Sequence, residues 1–303
     1  MLLKRRSLYI ETHIACDLGV LWERTQDPAL HQLWDLRFSE ITYLPKESEQ
    51  APQCFRYATR IGFGFAVEGV GESLATRTSK KDESISVLKF SSDSPLSLIR
   101  EGSGYWKYAP DANGIRFWTG YDYRTRWGGG GAAVDRWIFR PLMVWATAWS
   151  FDRLKNWIEK GIHPRQALIA QATVTLTSLA VGFAWVWHGL VPKLLFKDRG
   201  ELELLRASGL FSGREIFLLN TLGVGEILFG AAMILFQGRF LHRANLLAMP
   251  VLAAGAWFSD PTIFLRPFNP LTFNLALMAL SGVALLHLDA IPKASRCKTR
   301  PNR

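Results

Sequence analysis

"AWVWHGLVPKLLF", residues 184–196, closes a long apolar run, and how it is read decides how the chain is divided. From about residue 168 the run has the length of a bilayer core, for which a helix needs roughly 20 apolar residues. It ends on His188, Pro192 and Lys193. In one reading this ending is an interface. Trp185 and Trp187 form an aromatic belt, Pro192 stops the helix and Lys193 snorkels to the headgroups. In the other reading the polar residues belong to a site. Three more apolar stretches follow, at about 216–236, 241–258 and 271–289, so four spans are expected. Before about residue 165 polar and apolar residues mix evenly, as in a water-soluble domain.

Charge follows the same division. Residues 1–160 carry 22 Lys+Arg against 19 Asp+Glu, a net of +3, and the remainder 14 against 7, a net of +7. The basic excess therefore lies in the apolar half, where it faces anionic lipid and sets orientation. No basic-aromatic stripe points to nucleic acid. Four spans put both ends on one side. The flanks on that side hold 11 Lys+Arg and the opposite loops 6, which places both termini in the cytoplasm. The start, "MLLKRRSLYIETHIAC", has charge but no apolar core of signal-peptide length, which agrees with a cytoplasmic first domain. The cysteines Cys16, Cys54 and Cys297 form no C-x-x-C, so neither a disulfide framework nor a metal site is expected.

In the soluble half, residues 7–15 read as a strand. "CDLGVLWERTQDPALHQLWD" reads as two short helices broken at Asp27-Pro28. Strands follow at about 36–44, 53–62, 65–78, 84–91, 96–108 and 114–127. Turns fall between them at "PKESEQAP", "GFG", "KKDE", "SSDSP" and "PDANG". In "GIRFWTGYDYRTRW", Ile115, Phe117, Thr119, Tyr121, Tyr123 and Trp127 share one face of an antiparallel sheet. A long helix closes the half, with Val134, Trp137, Ile138, Leu142, Trp145 and Trp149 at helical spacing. Charged residues leave its apolar centre too short to span, so the stripe must be covered by protein or lie at a membrane surface.

This order of elements, with the stretch "W-x-x-x-x-D-P-x-x-H-x-x-W" from Trp22 to Trp34, resembles the START-related helix-grip superfamily (SRPBCC, polyketide cyclase-like). The resemblance implies a cavity for a hydrophobic small molecule between sheet and long helix. Phe117, Tyr121, Tyr123, Trp137, Trp145 and Trp149 are its candidate lining, and the same aromatics serve equally to fill a core. His13, His31 and Asp35 stand out as isolated polar residues with no evident acid–base pairing.

The apolar half resembles the DoxX-like family through "WHGLVPKLLF" (187–196), "ELELL" (201–205) and "GVGEILFGAAMIL" (223–235). Some of that family attach to quinone-linked oxidoreductases, so the resemblance implies a bacterial inner (plasma) membrane and a quinone or lipid setting. Glu226 falls near the middle of the second span, where a carboxylate costs roughly 2.5–3.5 kcal/mol on insertion scales. It should be protonated or paired inside the bundle. His188, Lys193, Asn220, Thr173 and Thr177 are its candidate partners, and Gly223 and Gly225 would let a neighbouring helix approach.

The expectation is an α+β helix-grip domain over 1–160, an all-α four-helix transmembrane bundle over 165–290 and a basic cytoplasmic tail over 291–303. Three functions fit it: a hydrophobic-ligand domain coupled to a membrane bundle with a polar pocket around Glu226, His188, Lys193 and Asn220; the membrane subunit of a quinone-linked oxidoreductase, which would need a redox partner protein; and a ligand-binding module merely anchored to the bilayer.

Overall fold

The structure is a computed structural model that describes residues 7–46, 48, 51–77, 83–197, 200–207, 209 and 212–301. It divides into two compact units, Met1–Ala167 with Pro292–Arg303, and Leu168–Ile291.

In the first unit, alternation along β7 (Gly114–Thr125) produces one dry face. Ile115, Phe117, Thr119, Tyr121 and Tyr123 are buried, while Arg116 and Arg124 are exposed. Trp127 leaves that face: its backbone is left-handed and its side chain exposed. The other strands are β1 (Leu8–Ile14), β2 (Glu40–Tyr43), β3 (Gln53–Gly62), β4 (Phe65–Arg77), β5 (Ser84–Ser91) and β6 (Ile99–Asp111). All pair antiparallel, in the order β1-β7-β6-β5-β4-β3-β2. The expected turn at "KKDE" lies largely outside the described residues, and that at "PKESEQAP" partly so.

Helices α1 (Leu18–Gln26) and α2 (Pro28–Trp34) break where expected. The Asp27 carboxylate accepts from the Ala29 and Leu30 amides at 2.7 and 3.3 Å, and Pro28 takes the first helical position. The long helix comprises α3 (Gly128–Val134), a π-helical turn over Asp135–Phe139 and α4 (Arg140–Lys160). Sheet and long helix enclose a core of Ile10, Ile14, Leu21, Trp34, Tyr108, Phe117, Phe151 and Leu154. This is the helix-grip arrangement.

The apolar stripe of the long helix does not line that core throughout. Trp149 is buried, but Trp137 is 74% and Trp145 48% exposed, with Val134, Ile138 and Leu142 also outside. Asp135 is the cause. It is fully buried and accepts a 2.6 Å bond from the Tyr123 hydroxyl, so Trp137, two residues on, points away from the sheet. Periodicity defines a stripe without saying what covers it.

Pro292–Arg303, expected as a basic tail, is part of the first unit. Glu11 and Lys298 exchange both backbone bonds at 2.9 Å, which covers the free edge of β1. The buried Asp152 accepts from the Lys293 amide at 2.7 Å and from Arg296 at 3.0 Å. Cys297 is buried against the Ala148 carbonyl.

The second unit holds α5 (beginning at Pro164 and ending at Leu190), a π-helical turn over Val191–Leu195, α6 (Glu201–Ala207), α7 (Glu215–Phe236), α8 (Arg239–Ser259) and α9 (Pro270–His287). Three of these helices are long and apolar enough to cross a membrane: Pro164–Leu195, Glu215–Phe236 and Pro270–His287. The expected third span corresponds to α8, whose Arg239, His242, Arg243 and Asn245 make it less apolar. Its polar groups His242 and Asn245 are fully buried with Met249, whereas Phe240, Leu247, Val251 and Phe258 are exposed.

Helices α5 and α7 cross antiparallel on a seam of glycines seven residues apart. A Cβ on Gly189 would come within 2.4 Å of the Gly223 carbonyl, and one on Gly182 within 2.7 Å of the Gly230 carbonyl. Gly225, expected at this contact, has nothing within 4 Å. Gly189→Val should therefore cost about 1–3 kcal/mol through overpacking. Gly225→Ala should be neutral or slightly stabilising, since Ala favours helix over Gly by about 1 kcal/mol. Thermal unfolding of both variants in one detergent tests the seam; equal losses would refute it.

Candidate functional site

Two clusters of polar side chains sit where apolar packing would otherwise be expected, one in each unit.

The first is built on α2. His31 and Asp35 lie four residues apart and so share one helix face. Asp35 is 1% exposed. Arg37 grips it with two bonds, Nε to Oδ1 at 2.9 Å and Nη2 to Oδ2 at 2.6 Å. Its own backbone amide adds a third, at 3.1 Å. His31 Nε2 is 3.1 Å from Asp35 Oδ2. Burial pushes the Asp35 carboxyl up, but the charge and hydrogen bonds of Arg37, joined by His31, outweigh it and hold the group far below the usual carboxylate range. The His31 ring is clamped by aromatics, stacked on Trp34 at 5.0 Å, with Trp106 and Phe38 edge-on at 4.9 and 5.3 Å.

His31 faces a cavity of about 30 Å³ bounded by Phe38, Ile41, Phe55, Leu88 and Trp106 and by the polar Thr25, Gln26, Tyr43, Ser73 and Ser86. This is room for about one water molecule or hydroxyl group. The expected lining lies elsewhere. Phe117, Tyr121, Tyr123 and Trp149 are packed into the core, Phe117 stacking on Phe151 at 4.6 Å, and Trp137 and Trp145 are outside. His13 is on the surface, paired with Asp111 at 3.1 Å.

The second cluster surrounds Lys193. The π-helical turn at Pro192 carries the ammonium inward, with the side chain 9% exposed. It lies 2.7 Å from Glu201 Oε2 and 3.0 Å from Glu226 Oε2, and donates to the His188 carbonyl at 3.4 Å. One ammonium thus faces two carboxylates. Among the described residues Glu226 Oε2, although within ion-pair distance of Lys193, makes no well-aligned hydrogen bond, and the buried Oδ1 of Asn220 has no partner. The structure thus brings Glu226, Lys193 and Glu201 together. Among the described contacts the His188 ring does not join them: it packs on Phe273 at 5.1 Å.

Nothing in the sequence reading pointed to a further set deeper in this unit. His242 bridges Ser178 and Ser281 at 3.2 Å each. Asn245 donates to Ser281 at 2.9 Å and to the Leu277 carbonyl at 3.1 Å, and accepts from Trp185 at 2.8 Å. Three helices are held by this network, and the buried polar groups of α8 are satisfied by it. Its signal was the spacing of His242 and Asn245, three apart on one face of an apolar helix.

Residues 182–282 match the DoxX-like family. YndG of Bacillus subtilis (strain 168), described as an uncharacterized membrane protein, is 45% identical over 188 residues, which is 62% of this chain and 70% of that one. The chain belongs to the DoxX-like family. Among solved structures, a STAR-related lipid transfer protein from Xanthomonas axonopodis is 12% identical, covering 49% of this chain and 82% of its own, with a TM-score of 0.37. An aromatase/cyclase from Streptomyces is 17% identical over 41% of this chain and 71% of its own, with a TM-score of 0.33.

In the DoxX-like half, the motif "WHGLVPKLLF" contributes through Gly189 and Lys193 more than through the His188 ring, and "ELELL" contributes Glu201. Lys193→Met should leave two carboxylates without their cation and cost about 3–5 kcal/mol. Adding Glu201→Gln and Glu226→Gln to Lys193→Met should recover most of that loss. Unfolding midpoints in detergent test this coupling, and a triple variant no better than the single one would show that the three do not act as a unit. In the first unit, the Asp35 carboxyl has its folded pKa depressed. Its stabilisation is present above the ordinary carboxylate range and lost as pH falls below about 4. Asp35→Asn should flatten the acid limb of the stability profile, measured by denaturant unfolding across pH.

Proposed function

We propose that this chain is an integral membrane protein of the bacterial inner membrane. In this reading a cytoplasmic helix-grip domain takes up an apolar molecule, lipid or quinone-like. A four-span DoxX-like bundle then offers the polar end of that molecule a buried site at Glu226 and Lys193.

The observation that carries the membrane layout is the return of the chain to its starting unit. Residues up to 167 and from 292 onward belong to one compact body. A segment that leaves and re-enters the same body crosses a bilayer an even number of times. With three helices already apolar enough, the even number is reached by α8. Its polarity suits this role: polar groups face the bundle and Phe240, Leu247, Val251 and Phe258 face out, as expected in lipid. The basic excess of the flanks supports cytoplasmic termini. The exposed stripe of Trp137, Ile138, Leu142 and Trp145 supports a helix-grip domain lying at the membrane surface.

The ligand chemistry follows from what is unpaired. The donors of Lys193 are directed at Glu201, Glu226 and the His188 carbonyl. A quinone carbonyl, which must accept, finds no spare donor on that ammonium. Among the described residues the buried Asn220 Oδ1 has no donor and Glu226 Oε2 has only the Lys193 ammonium at 3.0 Å, which suits a hydroxyl group such as that of a quinol or a lipid head.

Two measurements test the reading. Reporter fusions after residue 301 and within 200–214 should report opposite sides, with the tail inside; an outward tail would overturn the layout. Mass spectrometry of molecules retained by the gently purified chain should find an apolar, hydroxyl-bearing species that is depleted in Glu226→Gln at unchanged thermal stability. Retention unaffected by that substitution would remove Glu226 from the site.

A further inference from the structure

We infer that His31 is the polar anchor of the helix-grip cavity, and that it selects ligands presenting a hydrogen-bond donor, an alcohol in preference to an ether or ketone. This deepens the proposed function and rests on the reading that the first unit takes an apolar molecule.

The argument starts from Asp35. Its two oxygens receive both arms of the Arg37 guanidinium, a bidentate pair that keeps the carboxylate ionised. An ionised carboxylate only accepts, so the His31 nitrogen facing it, Nε2 at 3.1 Å, must carry the proton. The neutral ring has one proton, so Nδ1 presents a lone pair.

The remaining polar groups of the cavity satisfy one another. Thr25 donates to the Leu21 carbonyl and shares a 2.8 Å bond with Tyr108. Gln26 donates to Tyr108 at 3.0 Å and accepts from Ser86 at 3.4 Å. Ser86 also meets Ser73 at 3.3 Å, and Tyr43 donates to the Gln26 carbonyl at 2.7 Å. Nδ1 of His31 makes no hydrogen bond to any described residue. Its ring cannot turn to find one, because Trp34, Trp106 and Phe38 hold it on three sides. The walls beyond are Ile41, Phe55 and Leu88. A fixed acceptor in a pocket of about one hydroxyl's volume, whose other polar groups are already paired, is a receptor for an O–H group on an otherwise apolar molecule. A ligand that cannot donate leaves the lone pair desolvated and unpaired, and the penalty for that discriminates more strongly than shape does.

The test uses the full chain in lipid nanodiscs with ¹⁵N-labelled histidine and two isomeric probes, 1-hexanol and methyl pentyl ether. The two have the same heavy-atom count and differ in the donor. The ring-nitrogen resonances of His31, assigned by their loss in His31→Gln, report both tautomer and binding. Expected are an unprotonated Nδ1 in the free protein and a shift of its signal by hexanol at about tenfold lower concentration than by the ether. Asp35→Asn keeps an oxygen for Arg37 and turns its NH₂ toward Nε2, which moves the proton to Nδ1. The preference should then disappear or reverse. His31→Phe, which keeps the aromatic packing and needs no change at Asp35, should bring the two probes to equal affinity as judged by ligand-observed NMR. Equal binding of both probes to the native chain, a protonated Nδ1, or a preference that survives His31→Phe would each overturn the assignment and leave apolar binding standing. Binding of neither probe would overturn the apolar-ligand reading itself, and this assignment with it.

Discussion

The carboxylate of Asp152 fixes the chain's path. It is buried under the sheet on α4 and draws in the Lys293 amide and the Arg296 guanidinium from the far end of the sequence. Glu11 does the same for Lys298 on the edge of β1. A buried carboxylate without donors would be costly, so these contacts are obligatory once the helix-grip domain has folded. Everything between residues 168 and 291 must then begin and end at that domain. The proposed even number of crossings, with α8 as one of them, rests on this clasp between residues more than 100 apart in sequence.

The two units solve the burial of polar groups differently. In the first, three buried carboxylates have partners of opposite sign: Asp35 has Arg37, Glu11 has Arg116 and Lys298, and Asp152 has Arg296, while the buried Arg153 donates to the Pro164 carbonyl and Asp135 accepts from the Tyr123 hydroxyl. In the second, uncharged groups dominate the interior. His242, Asn245, Ser178 and Ser281 tie three helices by hydrogen bonds that depend little on solvent. Lys193 departs from this pattern. It faces two carboxylates, leaves an acceptor unpaired and depends on a π-helical turn to arrive there. Clusters that depart from complete pairing are where a ligand or a proton can be accommodated. The His31 cavity departs from it by a single lone pair.

The glycine seam explains why the Lys193 cluster sits where it does. With Gly189 against Gly223, the backbones of α5 and α7 approach closely enough for a side chain four residues beyond Gly189 to reach one three residues beyond Gly223. A bulkier seam would hold Lys193 and Glu226 apart.

Local pattern sufficed for the elements. The strand alternation from Ile115 to Tyr123, the Asp27-Pro28 break and the length of the apolar runs are set by contacts within a few residues. They could be read from the sequence for that reason, as could Glu226 as a carboxylate in need of a partner. The partner itself was another matter, since Lys193 and Glu201 reach it only through the seam and the π-helical turn. The outward turn of Trp137 depends on a Tyr123–Asp135 bond across two elements, and the role of residues 292–301 depends on Asp152 and Glu11. His31 and Asp35 looked like isolated polar residues because the third member, Arg37, and the aromatic clamp become meaningful only when α2 is laid on the sheet. Periodicity reports which residues share a face. What that face meets is decided by long-range packing, and a pairing of buried charges is a long-range fact.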